Sequence, residues 1–191
     1  GREVAFAFVG AGTKLEELEA YVSEHGMSNV SFIPYQDKAD LIYSLNAADV
    51  HWCVNAKGIK GVSCPSKYYG LAAAGKPVIG VLEAGSEIRC IIDETNGGLC
   101  CEPGDYKSIE KNIQWFIDNA GSDELKEMGM RGGAYLEKNL TKNVSVNKYA
   151  EEILNLKETK NEQQLVQDRY EAYEGEIRQT AAAQRRAGDI Q

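Results

Sequence analysis

The residues best placed to do chemistry lie in one run, Ile59-Lys-Gly-Val-Ser-Cys-Pro-Ser-Lys-Tyr-Tyr-Gly-Leu-Ala-Ala-Ala-Gly-Lys-Pro-Val-Ile-Gly80. A Gly/Ser/Pro loop leads into a short helix expected over Lys67–Ala74, closed by Gly75 and followed by Pro77 and an apolar strand. The loop presents backbone N–H groups, the Ser66 hydroxyl and the Lys67 cation where that helix begins. First-turn amides have no partner inside a helix, and the helix dipole favours negative charge there, so the chemistry expected is the binding of an anion. An ordinary turn between helix and strand would account for the loop taken by itself, so the surrounding elements carry the decision.

Other reactive side chains are sparse. The only histidines are His25, beside Gly26 at an expected helix end, and His51, in an expected strand. Two isolated histidines argue against a His-based metal site and against a Ser–His–Asp triad. Five cysteines (Cys53, Cys64, Cys90, Cys100 and Cys101) show no CxxC pair and no regular spacing. That fits neither a disulfide framework nor a zinc site, and three of the five read as small core residues in a reducing compartment. A net charge of -8 argues against a broad nucleic-acid surface, so an anionic ligand needs a focused pocket. Gly1-Arg-Glu3 runs straight into a strand, and the longest apolar stretches, Val4–Val9 and Pro77–Leu82, are strand-length. Neither a signal peptide nor a membrane span is read, and a cytoplasmic location is expected.

The elements that must position the loop follow from periodicity. Val4–Val9 is a continuous apolar run of the kind found in strands buried on both faces, and Gly10-Ala-Gly12 turns the chain. Thr13 with Glu16 forms a capping box for a helix whose inner face is Leu15, Leu18 and Val22, closed by Gly26. Val30–Ile33 reads as a strand, Asp37–Asn46 as a helix with Leu41, Ile42 and Leu45 inward, and Val50–Val54 as a third strand. After the loop and its helix come strand Pro77–Leu82, helix Ser86–Asp93, strand Leu99–Cys101, and helix Asp105–Asn119 with Ile109, Ile113 and Ile117 on one side. Alternation of this kind predicts an α/β fold, a doubly wound parallel sheet with helices on both faces. Ligands in such sheets sit at the carboxyl ends of the strands, which makes Gly10–Thr13, Pro34–Asp37, Asn55–Ser66 and Glu83–Glu87 the candidate site loops. Residues 1–121 are expected to form this Rossmann-like domain. Within 122–157, Ser122–Lys138 and Lys142–Lys157 read as helices packing on it, and 158–191 as a polar helical or disordered tail.

The order of the elements, and the residues on them, resemble the C-terminal, nucleotide-sugar-binding half of group 1 glycosyltransferases of GT-B fold. The matching pieces are Phe8-Val-Gly-Ala-Gly12, Asn29-Val-Ser-Phe-Ile-Pro-Tyr35, Leu41 to Leu45 with Ala47-Ala-Asp-Val50, Pro65-Ser-Lys-Tyr-Tyr-Gly70, Ala73-Ala-Gly-Lys-Pro-Val78, Gly85-Ser-Glu87, and Gly97-Gly98 through Pro103-Gly-Asp105. They cover about residues 3–155 in the right order, and the form of Pro65–Gly70 is similar to an exopolysaccharide or cell-wall subgroup.

The resemblance implies transfer of a sugar from a nucleoside-diphosphate donor of UDP or GDP type to a glycan or lipid-linked acceptor. The reaction is expected to retain anomeric configuration and to need no metal and no cofactor. Helix dipoles, backbone amides and cations stabilise the departing diphosphate in such enzymes. The residues it implies for donor binding are Gly10, Gly12, Pro34, Tyr35, Ser63, Pro65, Ser66, Lys67, Tyr69, Gly70, Ser86 and Glu87, with Ile33-Pro34-Tyr35 bordering the base. No catalytic residue is assigned. Many members carry two glutamates separated by seven residues, where this chain has Val62 and Gly70, so the ribose-binding carboxylate is absent; Lys60 falls where the subgroup often has an acid. Val4–Val9 matches the family's second strand. The opening strand, its Gly-rich loop and the acceptor-binding N-terminal half are therefore expected to be missing, and the chain is expected to be inactive alone. The resemblance also allows peripheral association of the full enzyme with a membrane.

Rival readings fare worse against the residues. A dinucleotide-binding oxidoreductase would need a third glycine where Leu15 stands, and an acid after Ile33. The catalytic carboxylates and histidine of a sugar-nucleotide epimerase have no evident counterparts. A non-catalytic GT-B-like binding or scaffold module remains the alternative, supported by the absent glutamates and the unmatched tail.

Overall fold

A computed structural model describes residues 4–158 and 167–175. Strands and helices alternate as β1 (Phe6–Val9), α1 (Leu15–Glu24), β2 (Val30–Ile33), α2 (Leu41–Ala47), β3 (His51–Val54), α3 (Lys67–Ala73), β4 (Val78–Val81), α4 (Glu87–Thr95), β5 (Gly98–Cys101) and α5 (Tyr106–Asp118), followed by α6 (Asp123–Asn139) and α7 (Lys142–Glu158). The chain divides into two compact units, Gly1–Leu140 and Thr141–Gln191.

Every strand pair is parallel, as the alternation requires, with β1 on β2 and β4 between β3 and β5. The strands form two sheets, β1-β2 and β3-β4-β5, where a single sheet was expected. Each sheet is open, with edge strands β1 and β2 in one and β3 and β5 in the other. In β1 the amides of Phe6 and Gly10 donate to Asn29 and Ile33, so strand alternation turns those of Ala7 and Val9 to the other side. In β3 the amides of His51 and Asn55 donate to Pro77 and Val81, which turns those of Trp52 and Val54 away from β4.

The core belongs to the three-stranded sheet. All four residues of β4 are buried. One cluster joins Cys53, Val78 and Leu82 to Tyr68 and Leu71 of α3 and Ile88 and Ile92 of α4. A second joins Ile79, Val81 and Cys101 to Phe116 of α5 and Leu125 and Met128 of α6. Helices thus cover both faces, and β4 reads as the continuous apolar run such a position demands.

The other sheet departs from expectation. Val4–Val9 was expected to be buried on both faces, but Phe8 and Val9 are 48% and 49% exposed, because α1 buries no residue and offers no cover. Phe8 instead stacks on Phe32 of β2, ring centroids 5.4 Å apart. The Thr13/Glu16 capping box does not form: Lys14 takes the N-cap position, one residue later, with no side-chain cap. Residues 37–40 form a turn in which the Asp40 amide donates to Asp37, so α2 starts at Leu41. Of its expected inward residues only Leu45 packs on the core, while Leu41 and Ile42 are exposed.

Later helices follow the sequence closely. α4 runs on to Thr95 and stops at Asn96, in left-handed conformation at φ 49°. Asp105 caps α5 by accepting from the Ser108 amide, and Ser122 caps α6 by accepting from that of Leu125. α6 packs on α3 through glycine: a Cβ added at Gly129 would lie 2.0 Å from the Gly75 carbonyl oxygen. This contact fixes the end of α3 opposite the candidate loop. In the second unit, α7 exposes Val146, Tyr149 and Ile153, and residues 167–175 are helical. The rest of the expected tail lies outside the described residues.

Candidate functional site

Each candidate loop follows the carboxyl end of a parallel strand, as the fold rule requires. The residues fall into two groups. The first joins the loops after β1 and β2. The ring of Tyr35 lies against Gly10, with a ring carbon 3.3 Å from where a Cβ would sit, and the Tyr35 hydroxyl donates to the Ala11 carbonyl at 3.2 Å. Gly10 adopts φ +113°, which L side chains rarely reach, so glycine serves both the turn and the ring's close approach. Tyr35 remains 76% exposed, and a Cβ at Gly12 would meet nothing within 4 Å. Pro34 is exposed, its carbonyl taking a bond from the Gln36 side-chain amide at 2.9 Å. A flat ring face thus stands beside open backbone.

The second group comprises the loop 55–66, the start of α3, and the turn before α4. The Asn55 side-chain amide donates to the Ser63 carbonyl at 3.1 Å. At the helix start the Tyr68 amide donates to Pro65 and that of Tyr69 to Ser66. The first turn thus occupies two of the expected free donors and leaves the Ser66 and Lys67 amides, since Pro65 has none. Ser66 is already in helical conformation and its hydroxyl makes no cap bond; with the exposed Lys67 it faces solvent. Tyr68 is buried, and burial pushes its phenol up to about 12. Tyr69 lies half-exposed with its hydroxyl 3.8 Å from the Cys64 sulfur, a hydrogen bond that raises its pKa. A Cβ at half-buried Gly70 would meet Leu45 of α2 at an ordinary 3.6 Å, so this position faces a helix.

The turn before α4 is firmly held. Ser86 is the extended N-cap, with its hydroxyl buried and without a partner, and the exposed Glu87 places a carboxylate in the first turn, where the dipole favours it. Arg89 donates to the Leu82 carbonyl at 2.8 Å and to Glu102 at 2.6 Å, and Glu102 accepts from the Ala84 amide at 3.0 Å. Glu83, which sequence reasoning passed over as one member of a loop, accepts from the backbone amides of Gly58 and Lys60. Nothing in the local sequence marks an acid whose partners lie 23 and 25 residues earlier. No hydrogen bond or ion pair among the described residues links this group to the Gly10–Tyr35 group. Among the described residues, no three His, Cys, Asp or Glu side chains cluster to hold a metal. His51 uses Nε2 on the Leu45 carbonyl at 2.8 Å, a structural bond.

Parallel strands with helix-starting loops at their carboxyl ends, backed by helices on both faces, define the Rossmann-like class of α/β protein found in GT-B glycosyltransferases. Solved structures share the fold. A glycosyltransferase from Rickettsia africae superposes with a TM-score of 0.65 at 16% identity, covering 83% of this chain and 41% of that one. Anabaena Alr3699/HepE in complex with UDP-glucose gives 0.63 at 18% identity, covering 81% and 42%. The family profile described as "Glycosyl transferases group 1" matches residues 1–133, and the chain belongs to that family. A curated relative, the probable glycosyltransferase WbjE of Pseudomonas aeruginosa, is 30% identical over 148 residues. The match takes in 78% of this chain but only 36% of WbjE, so the chain spans about a third of that relative's length.

Proposed function

We propose that this chain binds the nucleoside-diphosphate-sugar donor of a glycosyltransferase that builds a glycan or lipid-linked polysaccharide. One observation carries the reading: the exposed Tyr35 face and the starts of α3 and α4 all follow the carboxyl ends of parallel strands. The Tyr35 ring offers a wall for a base. The Ser66 and Lys67 amides, the Lys67 ammonium and the first turn of α4 supply positive potential for a diphosphate, whose charge grows as the bond to the sugar breaks. Positive charge from the protein itself is the reason for reading the step as metal-independent. Anabaena HepE, solved with UDP and with UDP-glucose, supports a UDP-type donor.

In this reading residues 1–121 are the donor domain and 122–157 the helices that follow it. An acceptor domain, a cytoplasmic setting with peripheral membrane contact, and a retaining outcome complete the proposal for the whole enzyme. Calorimetric titration of the chain with UDP, UDP-glucose, GDP and GDP-mannose tests the reading. Saturable binding of one base type is expected, weakened about tenfold by Lys67→Ala through loss of a charge-assisted contact. Absence of binding by every nucleotide overturns it and favours the scaffold alternative, for which the lack of a carboxylate at Gly70 speaks.

A further inference from the structure

Little of the loop after β3 is buried. Residues 56–64 are exposed apart from half-buried Ile59, Val62 is 85% exposed, and Gly58 and Gly61 take left-handed φ values of +87° and +77°. Glycine in such a segment raises the entropy lost on ordering. The turn after β4 is the opposite, backed by buried Leu82 and pinned by Arg89 and Glu102.

Three hydrogen bonds join the two. One carboxylate oxygen of Glu83, Oε2, accepts from the Gly58 amide at 3.0 Å and the Lys60 amide at 3.1 Å. In return the Lys60 ammonium donates to the Ala84 carbonyl at 2.6 Å. Amide bonds to a carboxylate are among the stronger hydrogen bonds, and a pair sharing one oxygen fixes both position and direction of the loop. The two donated amides also stabilise the Glu83 charge where it stands. Lys60 fills the space over Gly85, where an added Cβ would come within 2.9 Å of its nitrogen.

We infer that Glu83 is a positioning residue, holding the 56–64 loop and Lys60 at the carboxyl ends of β3 and β4 in the arrangement that receives the nucleoside-diphosphate sugar. The inference rests on the donor-site reading above and adds to it the residue that orders the site.

Glu83→Ala and Glu83→Gln test it, since glutamine keeps an oxygen that can accept both amides. Three measurements are made on each: trypsin cleavage after Lys57 and Lys60 without ligand, calorimetric affinity for UDP and UDP-glucose, and thermal midpoint. In Glu83→Ala, cleavage is expected to accelerate and UDP-glucose affinity to fall, each by about tenfold, with the midpoint near that of the parent chain. Glu83→Gln should restore both. Cleavage of Glu83→Ala at the parent rate overturns the clamp. Faster cleavage with unchanged affinity overturns the positioning role. Should the parent chain bind neither UDP nor UDP-glucose, the donor-site reading fails and the positioning role with it, while proteolysis still reports on the clamp alone.

Discussion

Gly129 of α6 and Gly75, just beyond α3, pack backbone to backbone, so that a Cβ on Gly129 would stand 2.0 Å from the Gly75 carbonyl oxygen. The contact is unyielding because the opposing atom is main chain. It also locates the far end of the helix whose start carries Ser66 and Lys67. Gly129→Ala gains up to about 1 kcal/mol of helix propensity but must push two backbones apart. The second effect wins, and a net loss of about 2–4 kcal/mol is expected in urea denaturation. Gly132→Ala provides the contrast. Its Cβ would meet only the Tyr68 hydroxyl at an ordinary 3.7 Å, so this variant should be neutral or slightly more stable.

The Tyr35 ring over Gly10 gives a second expectation. Removing the ring in Tyr35→Ala should weaken binding of the preferred nucleotide by about tenfold, the loss of one stacking wall. Tyr35→Phe keeps the face and loses only the bond to the Ala11 carbonyl, so it should stay within about threefold. Calorimetric titration of both variants with the nucleotide alone separates the ring's contribution from that of the hydroxyl. Equal losses in the two would show that the ring touches no base.

Thiol chemistry should sort by burial. Burial pushes the Cys53 thiol up to about 11 and that of Cys100 to about 12, whereas Cys64 and Cys90 are exposed. Thiolate is the reacting form, so a thiol-specific reagent at neutral pH is expected to modify Cys64 and Cys90 first and the others only on unfolding. A linked consequence concerns stability. The folded pKa values of Cys53 and Cys100 lie above the unfolded value of 9.0, so their contribution is complete below that pH. It is lost as pH rises toward the folded values, because the unfolded chain releases those protons first. Urea midpoints should therefore fall between pH 8 and pH 10, and Cys100→Ala should flatten the fall.

Periodicity made the element order legible, because burial of β3-β4-β5 under α3 to α6 stamps strand and helix repeats on the sequence. Pro77–Leu82 read as an apolar strand, and its centre, Val78–Val81, forms one that is buried throughout. Val4–Val9 read as a strand buried on both faces and is not, since apolar composition states what a strand prefers and not whether a neighbour supplies the cover. Thr13 and Glu16 had the spacing of a capping box, but the chain enters α1 one residue later. In the site, the loops were legible from strand ends. The first-turn bonds that occupy the Tyr68 and Tyr69 amides were not, and neither were Glu83's bonds to a loop more than twenty residues earlier. Hydrogen bonds between distant loops leave no periodic trace.

The free rims of β1 and β3 give this polypeptide a colloidal character of its own. Their segments, Phe-Ala-Phe-Val and His-Trp-Cys-Val, contain no proline, lysine or acid, the usual guards against unwanted strand addition. Phe8, Val9, Trp52 and Val54 beside them are wetted. Light scattering should record a mean particle mass that climbs with protein concentration, and a lysine placed at Val9 or Val54 should suppress the rise.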